Sequence, residues 1–297
     1  MLITQKIILF STLDNLIKRL ILRYLTSKSK KINNYRKNPL VVFGNDWIGA
    51  NIYVDGVYEK KFIEDIFDIF KKFRINPKKG YALDIGANIG NHSLQFSKKF
   101  KGVFAFEPHK RVFEVLKLNT KKIKNIRCVN LAIGNKIGKI KFRDYNENYG
   151  ASHVVSNNKK KNYFIVNVSK LSNLVKKLNP IYYIKIDTEG MEYQVLKSGK
   201  DIINKFKPII SIEQKKSEFK PKFRETASID FLRSLGYEIY TSKETFKTNN
   251  FILKKLVLIY GLFHKVSILR GIVKLKNVQK KNYSFLIAIH KNYILKS

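Results

Sequence analysis

From Tyr81 onward, short apolar runs alternate with stretches in which apolar residues recur every three or four positions. YALDIG, GVFAFEP, IRCVNLAIG, FIVNVS, YYIKIDTEG and KPIISIEQ are too short for helices and are bounded by turn or acidic residues, as buried strands are. NHSLQFSKKF, KRVFEVLKLNTKK, SKLSNLVKKL and MEYQVLKSGKDII carry the helical period, with Val112, Phe113, Leu116 and Leu118 assigned to the apolar side of the second. KIKFRDY reads as an extra edge strand, residues 144–161 as a long polar loop, and SIDFLRSLGYEIY as helix, turn and strand. This alternation predicts an α/β, Rossmann-like architecture: a doubly wound, mostly parallel sheet with the strand-end loops along one edge. A strand from Glu238 and one from Tyr283 close it as a C-terminal β-hairpin-like pair. Residues 244–281 between them read as a basic amphipathic insertion.

Upstream, the pattern is different. In residues 1–39 an amphipathic helix carries Ile7, Phe10, Leu13, Ile17, Leu20, Ile21 and Tyr24 on one side, with Lys6, Lys18, Arg19 and Arg23 nearby. Asp14, Lys18 and Arg19 interrupt the apolar run, so it is too short to span a bilayer, and no small-residue cleavage site marks a signal peptide. An interfacial helix with a basic flank fits; so does a helix packed on its own domain or on another protomer. A Lys/Asn-rich linker ends at Pro39. Residues 40–80 form a β/α lead-in, with β-like runs in VVFGNDWIGANIYVDGVYE and a helix over Glu59–Arg74 that stops at Asn76-Pro77. The main domain is then 81–297.

Charge adds a second question. The chain of 297 residues has 59 Lys and Arg against 22 Asp and Glu, a net charge of +37. Such a field attracts nucleic acid, anionic lipid or anionic substrates. The excess is mostly lysine spread over the whole chain, which codon bias alone would also produce, and no RNA-binding signature accompanies it. Cys128 is the single cysteine, which excludes an intramolecular disulfide and a multi-cysteine zinc site and suits a reducing, cytoplasmic setting.

The sharpest chemical signal is the turn Asp84-Ile85-Gly86-Ala87-Asn88-Ile89-Gly90 between strand and helix. Gly86 and Gly90 permit a tight turn close to a ligand, and the helix N-terminus offers free N–H groups. The spacing differs from G-x-G-x-x-G, which disfavours a nicotinamide dinucleotide. Glu107 ends the next strand, 23 residues beyond Asp84, where a Rossmann carboxylate meets a ribose diol. A third block, Lys185-Ile186-Asp187-Thr188-Glu189-Gly190-Met191-Glu192, ends a strand at the same edge. Its carboxylates should raise one another's pKa, as a general base for a hydroxyl requires. A divalent ion held by these acids and Glu213 is the alternative. His153, in the polar loop, is a further candidate base.

LDIGANIGNHSLQF, FAFEPHKRVFEVLKLN, IKIDTEGMEYQVLKSG and PIISIEQ, in that order, resemble the FkbM-type methyltransferases from about Tyr81 to Tyr240. The resemblance implies a class I methyltransferase fold, S-adenosyl-L-methionine as methyl donor, and O-methylation of a saccharide or glycolipid-like acceptor. It implies that Asp84, Gly86, Asn88 and Gly90 line the methionine and ribose end of the cofactor. Glu107 would hold the ribose diol, and Asn130 to Ile133, Ala132 included, would pass beside adenine. Asp187 would then face the methyl group, with Glu189 as base or acceptor ligand, Glu192 supporting the loop, and His92 and His109 as helix caps or cofactor rim. The basic ends suggest an acceptor at the anionic inner membrane surface. Two rivals remain: a non-catalytic cofactor- or nucleotide-binding module, and an RNA methyltransferase favoured by charge alone.

Overall fold

The computed structural model describes residues 12–35, 40–44, 46–143, 163–245 and 269–295. They belong to two compact units, residues 1–58 and 59–297. In the first, helix α1 (Thr12–Tyr35) and helix α2 (Trp47–Asp55) pack together. The β-like reading of residues 41–58 is corrected here. Despite its Val, Ile and Tyr content, the stretch Trp47–Asp55 folds as α2, because Asp46 accepts the Gly49 N–H at its N-terminus and Gly56 ends it at φ +84°. Among the described residues no helix is long and apolar enough to cross a membrane.

The second unit opens with α3 (Lys60–Lys72) and is organised by an eight-stranded sheet. In chain order its strands are β1 (Tyr81–Ile85), β2 (Gly102–Phe106), β3 (Ile126–Val129), β7 (Ile181–Ile186), β8 (Ile209–Gln214), β9 (Tyr237–Thr245), β10 (Leu269–Leu275) and β11 (Tyr283–His290). Their order is β10-β9-β11-β8-β7-β1-β2-β3, parallel from β8 to β3 and antiparallel from β10 to β8. The expected pairing of the strands at Glu238 and Tyr283 is present, with β11 seated between β9 and β8. The supposed insertion contributes a sheet strand of its own, β10, which pairs along β9; residues 246–268 lie outside the described residues.

Period-two alternation sends the strand side chains to two faces. Leu83, Ile85, Ile184, Ile186 and Ile210 pack toward α6 (Leu171–Leu174), α7 (Glu192–Ser198), α8 (Lys200–Phe206) and α9 (Ala227–Ser234). Ala82, Tyr183, Ile209 and Ile287 pack toward α3 and α4 (Asn91–Ser97). By the same alternation Asp84 and Lys185 fall on the α3–α4 face, two residues beyond Ala82 and Tyr183. Both are fully buried at the end of that layer.

Three further readings change. IRCVNLAIG is two strands: β3 stays in the main sheet, whereas β4 (Ala132–Ile133) joins β5 (Gly138–Arg143) and β6 (Tyr163–Ser169) in a small sheet ordered β4-β6-β5. The break falls at Asn130, where a tight turn forms from Leu131 N to Val129 O. Within KIKFRDY, residues 139–143 therefore edge the small sheet and not the large one, while residues 144 and 145 lie outside the described residues. The helix predicted from Met191 to Ile203 divides at Gly199 into α7 and α8. In α5 (Lys110–Thr120), Val112 and Leu116 are buried but Leu118 is 56 % exposed, since two residues past Leu116 point to the far side of a helix.

Candidate active site

Parallel strands bring the loops after β1, β2, β7 and β8 to one edge, and they are tied by backbone. Gly86 N and Ala87 N donate to Phe106 O at 3.0 and 2.9 Å, and Asp187 N donates to Ile85 O at 3.0 Å. Gly86 has φ +79°, and a Cβ there would lie 1.7 Å from the Asp187 carbonyl oxygen. Gly90, at φ +93°, starts α4 with room only for hydrogen; a Cβ would approach Leu116 Cδ1 to 2.8 Å. The glycines were expected to make room for a ligand. What presses on both is the protein itself, because the turn is wedged between β7 and α5.

Asp84 is fully buried. One carboxylate oxygen accepts from Ser93 Oγ at 2.6 Å, and the other lies 3.5 Å from Lys185 Nζ. Lys185 is 1 % exposed; its ammonium also donates to Asp187 Oδ2 at 3.2 Å and Gly86 O at 3.3 Å, beneath the Phe285 ring. Burial alone would discharge this lysine, yet Asp187 and Asp84 outweigh it and hold the pKa above the ordinary lysine value. Lys185 thus supplies Asp84 with an ammonium partner from within the chain. Sequence reading gave Lys185 no role, although a lysine inside the apolar run YYIKI was the signal: a charge in a buried strand needs a partner.

Glu107 follows β2 and is buried, with a different set of neighbours. Its oxygens accept from the backbone N–H of Asn88 at 2.9 Å and of His109 at 2.8 Å. Asn88 reaches it by taking a left-handed backbone, φ +50°, with its own Oδ1 accepting from Ile89 N at 2.7 Å. Burial pushes the Glu107 carboxyl up to about 7, against the opposing pull of these N–H groups and Lys185. A carboxylate has about four lone-pair sites, so two remain for ligand donors. Asn130 donates its side-chain amide to Glu107 O at 2.8 Å and Pro108 O at 3.1 Å, fixing the end of β3 beside this acid. Ala132 is buried among Phe142, Val166, Val168 and Met191, so its side chain serves the small sheet's core rather than the site. His109 caps α5, its Nδ1 accepting from Val112 N at 3.4 Å.

The block after β7 brings carboxylates together with cations. Oxygens of Asp187, Glu189 and Glu213 lie within 4.8 Å of one another. Glu189, in a left-handed conformation at φ +56°, is ion-paired with Lys215, whose ammonium is 3.9 Å from Glu213. Lys185 and Lys215 thus offset part of the cluster's charge, and a divalent ion there would compete with Lys215. Glu192 is buried and turns inward: one oxygen accepts from Thr188 N, Thr188 Oγ1 and Gly190 N at 3.0, 3.0 and 3.2 Å. Burial pushes Glu192 up to about 7. Glu213 is pushed up to about 8 by burial, with Asp187, Glu192 and Glu218 adding to it.

Beyond Glu213 an open groove of about 750 Å³ runs past Lys215, Phe219, Asn282, Tyr283 and Ser284. His92, in the first turn of α4, lies 3.3 Å from the Glu59 carboxylate and edge-on to Phe62 and Phe285. Cys128 is half-buried beside Thr120 Oγ1 at 3.2 Å. His153 and His264 lie outside the described residues.

The chain is similar to solved methyltransferase structures. Methyltransferase FkbM from Methylobacillus flagellatus KT is 19 % identical over 45 % of this chain and 32 % of its own, with a TM-score of 0.34. The chain thus spans about a third of that protein's length. Precorrin-6y C5,15-methyltransferase from Geobacter metallireducens GS-15 is 13 % identical over 78 % of this chain and 93 % of its own, with a TM-score of 0.39. An rRNA methylase from Streptococcus thermophilus is 11 % identical over 76 % and 95 %, with a TM-score of 0.37. No curated protein matches the chain. The sequence profile of the Methyltransferase FkbM domain covers residues 84–239, from the buried Asp84 through all four strand-end loops to β9, and the chain belongs to that methyltransferase family.

Proposed function

We propose that the chain binds S-adenosyl-L-methionine over the ends of β1 and β2 and methylates a hydroxyl of a saccharide or glycolipid-like acceptor. Glu107 carries the cofactor half of this reading. It is a buried acid held, among the described residues, by two backbone N–H groups, with acceptor capacity left for the two hydroxyls of a ribose. Asn88 and Asn130 fix its approach, while Asp84, Gly86 and Gly90 frame the loop.

When bound, the cofactor supplies an electrophilic methyl group on a sulfonium. The chain's part is to bring the acceptor oxygen in line and take its proton as the new C–O bond forms and the C–S bond breaks. Asp187, steadied by Lys185, accepts a hydrogen bond from the acceptor hydroxyl and orients it. Glu189 takes the proton or holds the acceptor, with Lys215 balancing its charge. Glu213 retains its own proton at neutral pH, and Glu192 is committed to the loop, so among the described acids the base role goes to Glu189, with His153 as the further candidate. The groove beyond Glu213 supports a multiply hydroxylated acceptor. It is open, lined with Lys, Asn and Ser, and offers Tyr283 and Phe219 as apolar surface for a sugar ring.

Calorimetric titration of S-adenosyl-L-methionine into wild type and Glu107→Ala tests the cofactor half. Binding to wild type that is lost in the variant is the expected result; no binding to wild type would leave a non-catalytic module. Methyl transfer to a panel of glycans and glycolipids, compared with RNA, tests the acceptor.

A further inference from the structure

The first half of α1 has no buried residue: every position from Leu13 to Tyr24 is exposed. Leu13, Leu16, Ile17, Leu20, Ile21 and Tyr24 are each at least 46 % exposed. At 100° per residue they share one arc, about 140° wide. Lys18 borders one side of that arc, and Arg19, Arg23 and Lys30 border the other. The acid in the helix's first turn, Asp14, is already ion-paired with Lys18. Trp47, the chain's single tryptophan, is 72 % exposed on α2 of the same unit.

An apolar stripe of this width left in water is unfavourable, so an occupant is required. A second α1 fits poorly. The seam Leu13–Ile17–Leu20–Tyr24 runs out at Ser27, short of the three or four heptads that a coiled coil sustains, and its basic borders would face like charge. Acyl chains beneath anionic headgroups fit both features: they take up the stripe, and they neutralise the borders. We infer that α1 is a monotopic anchor, with its Leu13–Tyr24 face among acyl chains and its flanking Lys and Arg among anionic headgroups. The helix lies in the interface, and methyl transfer is not needed for it to bind.

The test is flotation of the full chain with phosphatidylcholine vesicles, with or without one-third phosphatidylglycerol. Wild type should float with the anionic vesicles and at least tenfold less with phosphatidylcholine alone. The double variant Leu16→Asp/Leu20→Asp should lose flotation at least tenfold, although it alters the net charge of +37 by only two. Leu20→Gln, which leaves charge untouched, should fall between them. Removing Lys18, Arg19 or Arg23 as Gln should weaken binding by about fivefold each. Three results would overturn the inference: failure of wild type to float; equal flotation of wild type and the double variant, which would assign binding to diffuse charge; and a lipid-free dimer that the Leu variants dissociate, which would assign the face to a second copy.

Discussion

Asp84 and Glu107 are carboxylates near the ends of adjacent strands, both buried, and they differ in their company. Asp84 has a lysine ammonium and a serine hydroxyl; Glu107 has two backbone N–H groups and, among the described residues, no ion-pair partner. A buried acid beside a lysine ammonium serves as an internal tie. An acid held by dipoles alone keeps spare acceptor capacity and a charge that neutral pH can switch. Of the two motif acids, Asp84 braces the frame, and Glu107 keeps acceptor sites that its two backbone donors do not fill.

The contrast breaks most visibly at Lys185. Replacing it by Met leaves Asp84 buried without a countercharge, and unfolding in denaturant should show a loss of about 3–5 kcal/mol. A loss below about 1 kcal/mol would mean that Asp84 is not tied as described. Next comes Glu107→Gln. It removes the charge behind two hydrogen bonds while keeping the shape, so calorimetry should show cofactor affinity falling about thirtyfold. Stability should change little, because relief from burying the acid is offset where the Gln amide nitrogen meets one of the two backbone N–H donors.

The pH dependence sharpens the same point more gently. Glu107 is raised to about 7, so it is mostly neutral at lower pH and ionised above, and hydroxyl donors favour the ionised form. Cofactor affinity should therefore rise several-fold as pH increases through 7 in wild type, and stay flat in Glu107→Gln. Glu213 adds a stability effect of its own, because its pKa of about 8 lies above the ordinary 4.5. The native state holds this proton more tightly than the unfolded chain. The resulting stability is complete below pH 4.5 and is lost as pH rises toward 8. Thermal unfolding should show a shallower decline across that window in Glu213→Gln than in wild type.

The strands that carry the site were legible because each is a short apolar run ending at a turn or an acid. Parallel topology then fixes which ends share an edge. The blocks around Asp84, Glu107, Asp187 and Glu213 could be located on that basis. Local pattern did not reveal partners. Nothing around Lys185 names Asp84, which is 101 residues away, and nothing around Glu189 names Lys215. Composition also misled where capping decided the outcome: the β-prone residues of α2 follow Asp46 into a helix. Ala132 sits in a motif-rich stretch but turns away from the site, because the chain changes sheets at Asn130.

The contact between Gly86 and the Asp187 carbonyl has a thermodynamic consequence. The loop assigned to the donor and the loop assigned to the acceptor touch with no side chain between them, so neither can reposition without displacing the other. A ligand that shifts one of these loops must shift the other, and then whatever the first ligand does to the affinity of the second, the second does to the first by an equal factor.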